Sequence, residues 1–320
     1  MAAPRRSRPH RGRAAWSVVG VTLLAIFVMA LSYVALMQHG SVVSAGSTPG
    51  TTAAPGADVT APPTEGQSPE SAPAAVTPVA VPNRVIAAID VDSAVRVVAT
   101  ECPTPSTIET TGDAGATWRP LEAAAVASVQ RVSADADAFV SLLGLATEGC
   151  APDYEQSFVG GEAWETAPDE LAASWFIDPA NRAGVHSPTG DRQAPCAVVV
   201  QVAVIDENSA AVLCDDASVH ATTDAGNTWM PPAPVPGAAA IGVGADAYRV
   251  AVVNQNGCAG AQLVGLGVAP GGLAPIAAGA CLPATVAPGE AAVASAADGT
   301  TWLWAGDALG RTQDGGATWL

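Results

Sequence analysis

The chain has 320 residues, room for one large domain or two ordinary ones, and carries 13 arginines, no lysine and 30 acidic residues. The charge is divided: Arg5, Arg6, Arg8, Arg11 and Arg13 precede residue 14, whereas residues 84–320 hold eight arginines against 27 acids, a formal charge of −19. So acidic a region repels nucleic-acid phosphates and anionic lipid surfaces, which excludes both as its partners and leaves cations, basic proteins and neutral glycans.

Residues 1–13 read as a basic cytoplasmic tail. Residues 14–37, Ala14 to Met37, contain no charge, and a helix of that length crosses a hydrocarbon core of about 30 Å with some tilt. Trp16 and Tyr33 lie near its ends, where amphipathic rings favour the interface, and the arginines before it keep the N-terminus in the cytoplasm. The apolar run is longer than the core of a cleaved signal peptide, so an uncleaved anchor is expected, with everything after Met37 exported. Residues 38–77 are rich in Pro, Ala, Thr, Ser and Gly and lack aromatic residues. Such a segment cannot bury enough surface to offset its ordering entropy, and it reads as a disordered stalk.

From residue 84 onward, alternating apolar patterns dominate. Five apolar stretches each run into a short turn and then a second strand. The turns fall at Asp90-Val91-Asp92, Asp135-Ala136-Asp137, Asp206-Glu207-Asn208, Gly244-Ala245-Asp246 and Ala297-Asp298-Gly299. Thr111-Gly112-Asp113-Ala114-Gly115-Ala116-Thr117-Trp118 recurs as Thr222-Thr223-Asp224-Ala225-Gly226-Asn227-Thr228-Trp229 and as Thr312-Gln313-Asp314-Gly315-Gly316-Ala317-Thr318-Trp319. A worn copy keeps Ser157, Gly161 and Trp164 but has Val159 in place of Asp and Ala163 in place of Thr.

The pattern resembles the Asp box, Ser/Thr-x-Asp-x-Gly-x-Thr-Trp, of sialidase-type and BNR-repeat β-propellers. The resemblance implies an all-β fold in which residues 78–320 form one propeller of about five four-stranded blades. In each box the Asp carboxylate can accept from turn N–H groups, the Gly can take positive φ, and the Trp gives the next strand an apolar body to pack. All these box residues therefore read as structural. The tryptophans at 118, 164, 229 and 319 are 46, 65 and 90 residues apart, so the second interval contains an insertion and the third holds two blades, one without a box. The sequence stops as the last box hands over to an expected outer strand. Pro78-Val79-Ala80-Val81-Pro82 matches Pro232-Ala233-Pro234-Val235-Pro236, so residues 78–82 are expected to supply that strand beside the one leading to Thr312.

The six cysteines, Cys102, Cys150, Cys196, Cys214, Cys258 and Cys281, imply disulfides in an exported domain. In up-and-down blades all six fall on the edge opposite the Asp boxes, and sequential pairing, 102–150, 196–214 and 258–281, is expected. No Cys-x-x-Cys motif occurs, and neither a metal nor another cofactor is expected.

In sialidase-type propellers that same edge binds ligand. The longest insertion, Pro168 to Pro195, joins blades two and three there and carries Trp175, Phe176, Arg182, His186 and Arg192. Trp175 and Arg182 are its expected anchors, with His186 and Arg192 beside them. The family's glycosidases hold a substrate carboxylate with three arginines, use a Tyr nucleophile paired with Glu, and carry an Arg-Ile-Pro signature. Here that signature region reads Asn83-Arg84-Val85-Ile86-Ala87, without the proline. Tyr154 and Tyr248 are the domain's only tyrosines, and no acid beside Tyr248 suggests a nucleophile pair. No catalytic residue is assigned. The sequence reads as a single-pass membrane protein whose propeller binds or scaffolds a protein or glycan partner in the envelope. The alternatives are a glycoside hydrolase of sialidase-like fold and an assembly factor resembling propellers of the photosystem II stability/assembly-factor type.

Overall fold

The computed structural model describes residues 77–320 apart from Asp246 and Asn256. The tail, the apolar span of residues 14–37 and nearly all of the stalk lie outside the described residues. Among the described residues no helix is long and apolar enough to cross a membrane.

Five antiparallel sheets make a five-bladed propeller. Blade one is β1 (Arg84–Ala88), β2 (Ala94–Val98), β3 (Thr107–Thr111) and β4 (Arg119–Pro120), in that order. Blade two is β5 (Val126–Ala134), β6 (Val140–Ala146), β7 (Pro152–Ser157) and β8 (Glu165–Thr166). A short helix α1 (Pro168–Ala172) and a hairpin of β9 (Gly184–Ser187) with β10 (Gly190–Gln193) follow. Blade three is β11 (Val199–Val204), β12 (Ala210–Cys214), β13 (Ser218–Thr222) and β14 (Ala233–Pro234). Blade four is β15 (Ala238–Val243), β16 (Tyr248–Val253), β17 (Gly260–Ala269) and β18 (Gly272–Ile276), with β19 (Leu282–Pro283) also paired to β17. Its outer edge is thus split between two short strands. Blade five contains β20 (Ala291–Ser295), β21 (Thr301–Ala305) and β22 (Ala308–Thr312). The five turns expected from the sequence all join first strands to second strands.

The burial pattern explains the blades. Second strands such as Ala-Ala-Val-Leu-Cys of β12 and Thr-Trp-Leu-Trp-Ala of β21 are buried at every position, because neighbouring blades cover both faces. First strands line the axis, and β20 packs against both β1 and β15 while β5 packs against β1 and β11 against β15. Alanine and valine predominate at these positions, and small side chains let five sheets converge.

Two features depart from expectation. Residues 78–82 do not pair with β22. Val79 N–H donates instead to the carbonyl of Asp215 at 2.8 Å, in the turn after β12, and Asn83 N–H donates to Gly289 at 2.9 Å, just before β20. Prolines 78 and 82 remove two donors that an outer strand would use, and Val79 packs on the core shared by blades three and four. Among the described residues, β22 has only β21 as a strand partner, with one further bond from Leu320 N–H to Arg311 O. The ring closes between blades five and one through side chains. Trp302 Nε1 donates to Asp90 O at 2.8 Å, Arg84 pairs with Glu290 at 3.3 Å, and Arg96 lies over Trp118 and Trp304 while bound to Glu109 at 2.7 Å.

The second departure lies between blades two and three. There Trp175, Ile177 and Val185 of the insertion pack with Val199, Ala210, Val212 and Cys214 of blade three, so the insertion contributes to the core at this joint.

Candidate functional site

The three complete eight-residue repeats share one hydrogen-bond pattern. Asp113 accepts from Thr117 N–H at 2.8 Å, from Thr117 Oγ1 at 2.5 Å and from Thr111 Oγ1 at 2.8 Å. Asp224 and Asp314 repeat these bonds with Thr228 and Thr222, and with Thr318 and Thr312. Gly115 sits at φ 81°, a conformation that side-chain-bearing residues rarely adopt, and a Cβ there would also displace Leu309 Cδ2. Hydrogen bonds to the carboxylate, led by the Thr117 hydroxyl at Asp113 and by Thr318 N–H at Asp314, lower both acids to about 2. Asp224 is lowered for the same reason, with Thr228 N–H the largest cause. In the worn copy Ser157 Oγ still accepts from Val159 N–H at 3.3 Å and Gly161 N–H at 2.9 Å, so the turn survives without its carboxylate. Trp164, Trp229 and Trp319 donate their indole N–H to Glu122, Gln193 and Ala280, each in the segment that precedes its own or the neighbouring blade. These residues staple turns and blades.

The cysteines pair as expected on the other edge, with Cα separations of 5.9 Å for Cys102–Cys150, 6.3 Å for Cys196–Cys214 and 5.4 Å for Cys258–Cys281. The first bond joins blade one to blade two.

The insertion is where the expected ligand residues separate. Trp175 is only 2% exposed, and its Nε1 donates to Asp206 O at 3.2 Å. It is a core residue and offers no ring face to solvent, which corrects its reading as a surface anchor. A large indole beside a blade interface gains more by burial than any loop position could return. Arg192 closes the β9–β10 turn through Asp191 O, Thr189 O and Thr189 Oγ1, at 2.9, 3.1 and 2.7 Å. His186 stacks on Phe176 at 4.5 Å, with its ring nitrogens 2.8 Å from Asp191 Oδ1 and 3.2 Å from Ala172 O. Both therefore hold the hairpin together.

Arg182 has a different setting. Its Nη1 donates to Val199 O at 3.0 Å, and the residue lines a cavity of about 430 Å³. This cavity is bounded by blades one, two and three and by the insertion. Its wall includes Phe176, Ile177, Gln201, Ser128, Thr100 and, from β5, Arg131. The sequence reading missed Arg131. The available signal was a charge inside the otherwise uncharged first strand Val126–Ala134.

A β-bulge positions it. The β5–β6 register shifts between Ala127 and Arg131, and Ser128 takes a φ of 48°. Gln130 then turns to Ile177, and Arg131 Nη1 reaches Trp175 O at 3.2 Å. Arg131 also lines the central channel of about 260 Å³, whose other lining residues are uncharged. Burial lowers the pKa of both Arg131 and Arg182 from the ordinary arginine value.

No protein-family model matches the chain, and no curated protein matches it either. Solved structures with detectable likeness include "YCF48 bound to D1 peptide", with 16% identity, 78% of this chain and 74% of the other covered, and a TM-score of 0.28. They also include the SapL1 lectin in complex with alpha methyl fucoside, at 11% identity, 73% and 93% coverage and a TM-score of 0.38. A third is the Hadza microbial sialidase Hz136, at 12% identity, 75% and 57% coverage and a TM-score of 0.37. Likenesses this low carry no functional assignment.

Proposed function

We propose that the chain is a membrane-anchored member of the Asp-box propeller type whose domain binds or scaffolds a protein or glycan in the cell envelope, outside the cytoplasmic membrane. The arginine-rich start and the uncharged run of residues 14–37 support the anchor, and three disulfides suit an oxidising compartment.

The observation that carries the binding reading is the composition of the 430 Å³ cavity opposite the Asp boxes: two arginines, three amides and the aromatic residues Trp175 and Phe176 among aliphatic side chains, with Glu101 as the one carboxylate among its lining residues. Hydrolysis by paired carboxylates needs two acids across the scissile bond. The tyrosine route is no better supported, since neither Tyr154 nor Tyr248 lines the cavity and Tyr248 is 1% exposed. A concave site with convergent polar groups suits recognition.

Two experiments test this. Membrane fractions of a producing cell should retain the full-length chain, with the propeller cleaved by protease added from outside. A secreted mature form starting near Gly46 would remove the anchor. The full-length chain in detergent should capture ligands from envelope glycan and peptide arrays, and Phe176→Ala should lose that capture. Turnover of an array glycan without retained binding would sink the binding reading.

A further inference from the structure

Of the propeller's arginines, Arg84, Arg96 and Arg311 pair with acids, Arg131, Arg182 and Arg192 donate to backbone carbonyls, and Arg119 is exposed. Arg249 on β16 is left. It is half-buried, has neither an acid nor a hydrogen-bond acceptor among the described residues, and its Nε is buried without a partner. A cation kept so is costly unless something outside the fold completes it. The strand register places it. Arg249 pairs with Gly242 on β15 and with Gly265 on β17, and Gly265 pairs with Ile276 on β18, so the four form one row across blade four. A Cβ on Gly265 would lie 2.8 Å from Arg249 Nη1 and 3.0 Å from Ile276 Cδ1. The guanidinium and an isoleucine that is 51% exposed therefore meet over one glycine.

On the other side of the same head group, Nη2 lies 3.9 Å from the Cβ position of Gly315, in the box of blade five. In the other boxes the equivalent N–H, of Ala114, Gly160 and Ala225, donates to the turn of its own blade. The acceptors are Asp92, Ala138 and Asn208, at 2.8, 2.7 and 2.9 Å. Gly315 N–H makes no such bond among the described residues. Instead Gly315 and Gly299, from the turn that would accept it, both line a groove of about 800 Å³ between blades four and five. Arg249, Ile276 and the neighbouring Ala277 and Ala278 line it as well.

We propose that this groove on the Asp-box face binds an aliphatic monocarboxylate. Arg249 and Gly315 N–H donate to its oxygens, and Ile276, Ala277 and Ala278 cover its aliphatic body. A guanidinium has N–H donors and no acceptor, and its planar fork matches a carboxylate. Besides Arg249, Thr301, Gln313 and Asp314, the lining residues are glycines, alanines and Ile276, with no aromatic ring. Asp314 is the one acid among them, and its carboxylate already accepts from Thr312 Oγ1, Thr318 N–H and Thr318 Oγ1. The acidic domain opposes a second ligand charge, which favours a monoanion over a dianion such as a phosphate ester. The site is separate from the 430 Å³ cavity opposite the boxes and stands whether or not that cavity takes a ligand. The same chemistry is offered by a free short-chain acid and by an acidic residue in an aliphatic peptide.

Two-dimensional NMR of the arginine Nε–H groups, on the full-length chain in detergent, tests this. The chain has 13 arginines, so the spectrum is sparse, and Arg249→Gln identifies the Arg249 signal by its loss. Hexanoate should shift that signal saturably, and its neutral isostere hexanamide should bind about tenfold more weakly or worse. By saturation-transfer NMR, Arg249→Gln should weaken hexanoate about tenfold or more. Ile276→Ser, at an exposed position, should weaken hexanoate but leave acetate, which has no aliphatic body to cover, unchanged. Arg119→Gln should change neither. The peptide acetyl-Val-Val-Glu-amide represents the second source: tighter binding than hexanoate assigns the site to a protein segment, and weaker binding assigns it to a free acid. Equal binding of hexanoate and hexanamide, or native hexanoate binding in Arg249→Gln, overturns the site. An Arg249 signal that moves in Asp246→Asn without any probe overturns it too, because Asp246 is then the missing counter-charge.

Discussion

Gln130 grips Ile177 by both backbone groups: its Oε1 accepts from Ile177 N–H at 3.0 Å, and its Nε2 donates to Ile177 O at 2.6 Å. The contact resembles the one between Gln201 on β11 and Ile241 on β15, where Oε1 accepts from Ile241 N–H. Both glutamines sit at bulged starts of first strands, Gln130 within the shift between Ala127 and Arg131 and Gln201 at the end of the shift that begins at Val199. The insertion thus takes the place beside β5 that a neighbouring first strand takes elsewhere in the ring. Gln130→Ala should leave both backbone groups of a residue 2% exposed without partners. The cost should be about 1–3 kcal/mol for each stranded group, seen as a lower thermal midpoint, while Gln156→Ala on an exposed strand face should change little. An unaltered midpoint for Gln130→Ala would show that the insertion docks by apolar packing alone.

Trp175→Ala should behave as a core mutation. Removing a buried indole costs about 3–5 kcal/mol, which for a domain of this size lowers the midpoint by on the order of 10 °C. Its loss also frees Asp206 O and withdraws support from beneath Gly226. A variant with native stability and reduced ligand capture would restore Trp175 as a contact residue, and calorimetry beside array binding decides between the two.

Much of this architecture was legible because two local signals with direct physical causes recur: a turn after the first strand in all five blades, and the complete eight-residue box in three of them. The acidic turn after a first strand has a side chain that caps its own backbone, as Asp90 does for Asp92 and Ser93. The eight-residue box encodes its turn through Thr111, Asp113 and Thr117 within one short segment. Cysteine placement followed from the blade order, and all three bonds formed as expected. What failed involved competition between distant surfaces. Residues 78–82 resemble a later outer strand in sequence, yet local likeness cannot report that Val79 finds a core between blades three and four. Trp175 looked like an anchor because composition marks an indole in a loop without showing what covers it. Arg131 went unnoticed because its role depends on a bulge and on the insertion arriving from 44 residues away.

The disulfide between blades one and two, Cys102–Cys150, closes a loop of 48 residues, the longest of the three. Cross-linking a loop of that length restricts the unfolded chain most, and removing such a bond typically costs about 2–5 kcal/mol. Non-reducing peptide mapping should recover the three sequential pairs. Cys102→Ser with Cys150→Ser should lower the denaturation midpoint more than the paired Cys196 and Cys214 serine variant, whose bond spans 18 residues. The reverse order would mean that native-state packing around Cys214, which is fully buried, outweighs loop entropy.

The last prediction concerns acid. Asp113 and Asp314 have folded-state values of about 2, below the ordinary 3.8, because Thr hydroxyls and N–H groups bond to the charged form. A depressed folded value means that the unfolded chain binds protons first as pH falls, so the stabilisation is full above about pH 4 and is lost progressively toward pH 2. Asp224 shifts in the same direction and adds to the same window. Thermal midpoints should therefore be flat from neutrality to about pH 5 as far as these three acids are concerned, then fall steeply below pH 4. Replacing all three by Asn keeps one acceptor oxygen for Thr117, Thr228 and Thr318 but removes the charge. That variant should start with a lower midpoint at pH 7 and show a shallower decline between pH 4 and 2. A parallel decline in both proteins would place the acid sensitivity in other carboxylates and leave the box aspartates as neutral turn formers.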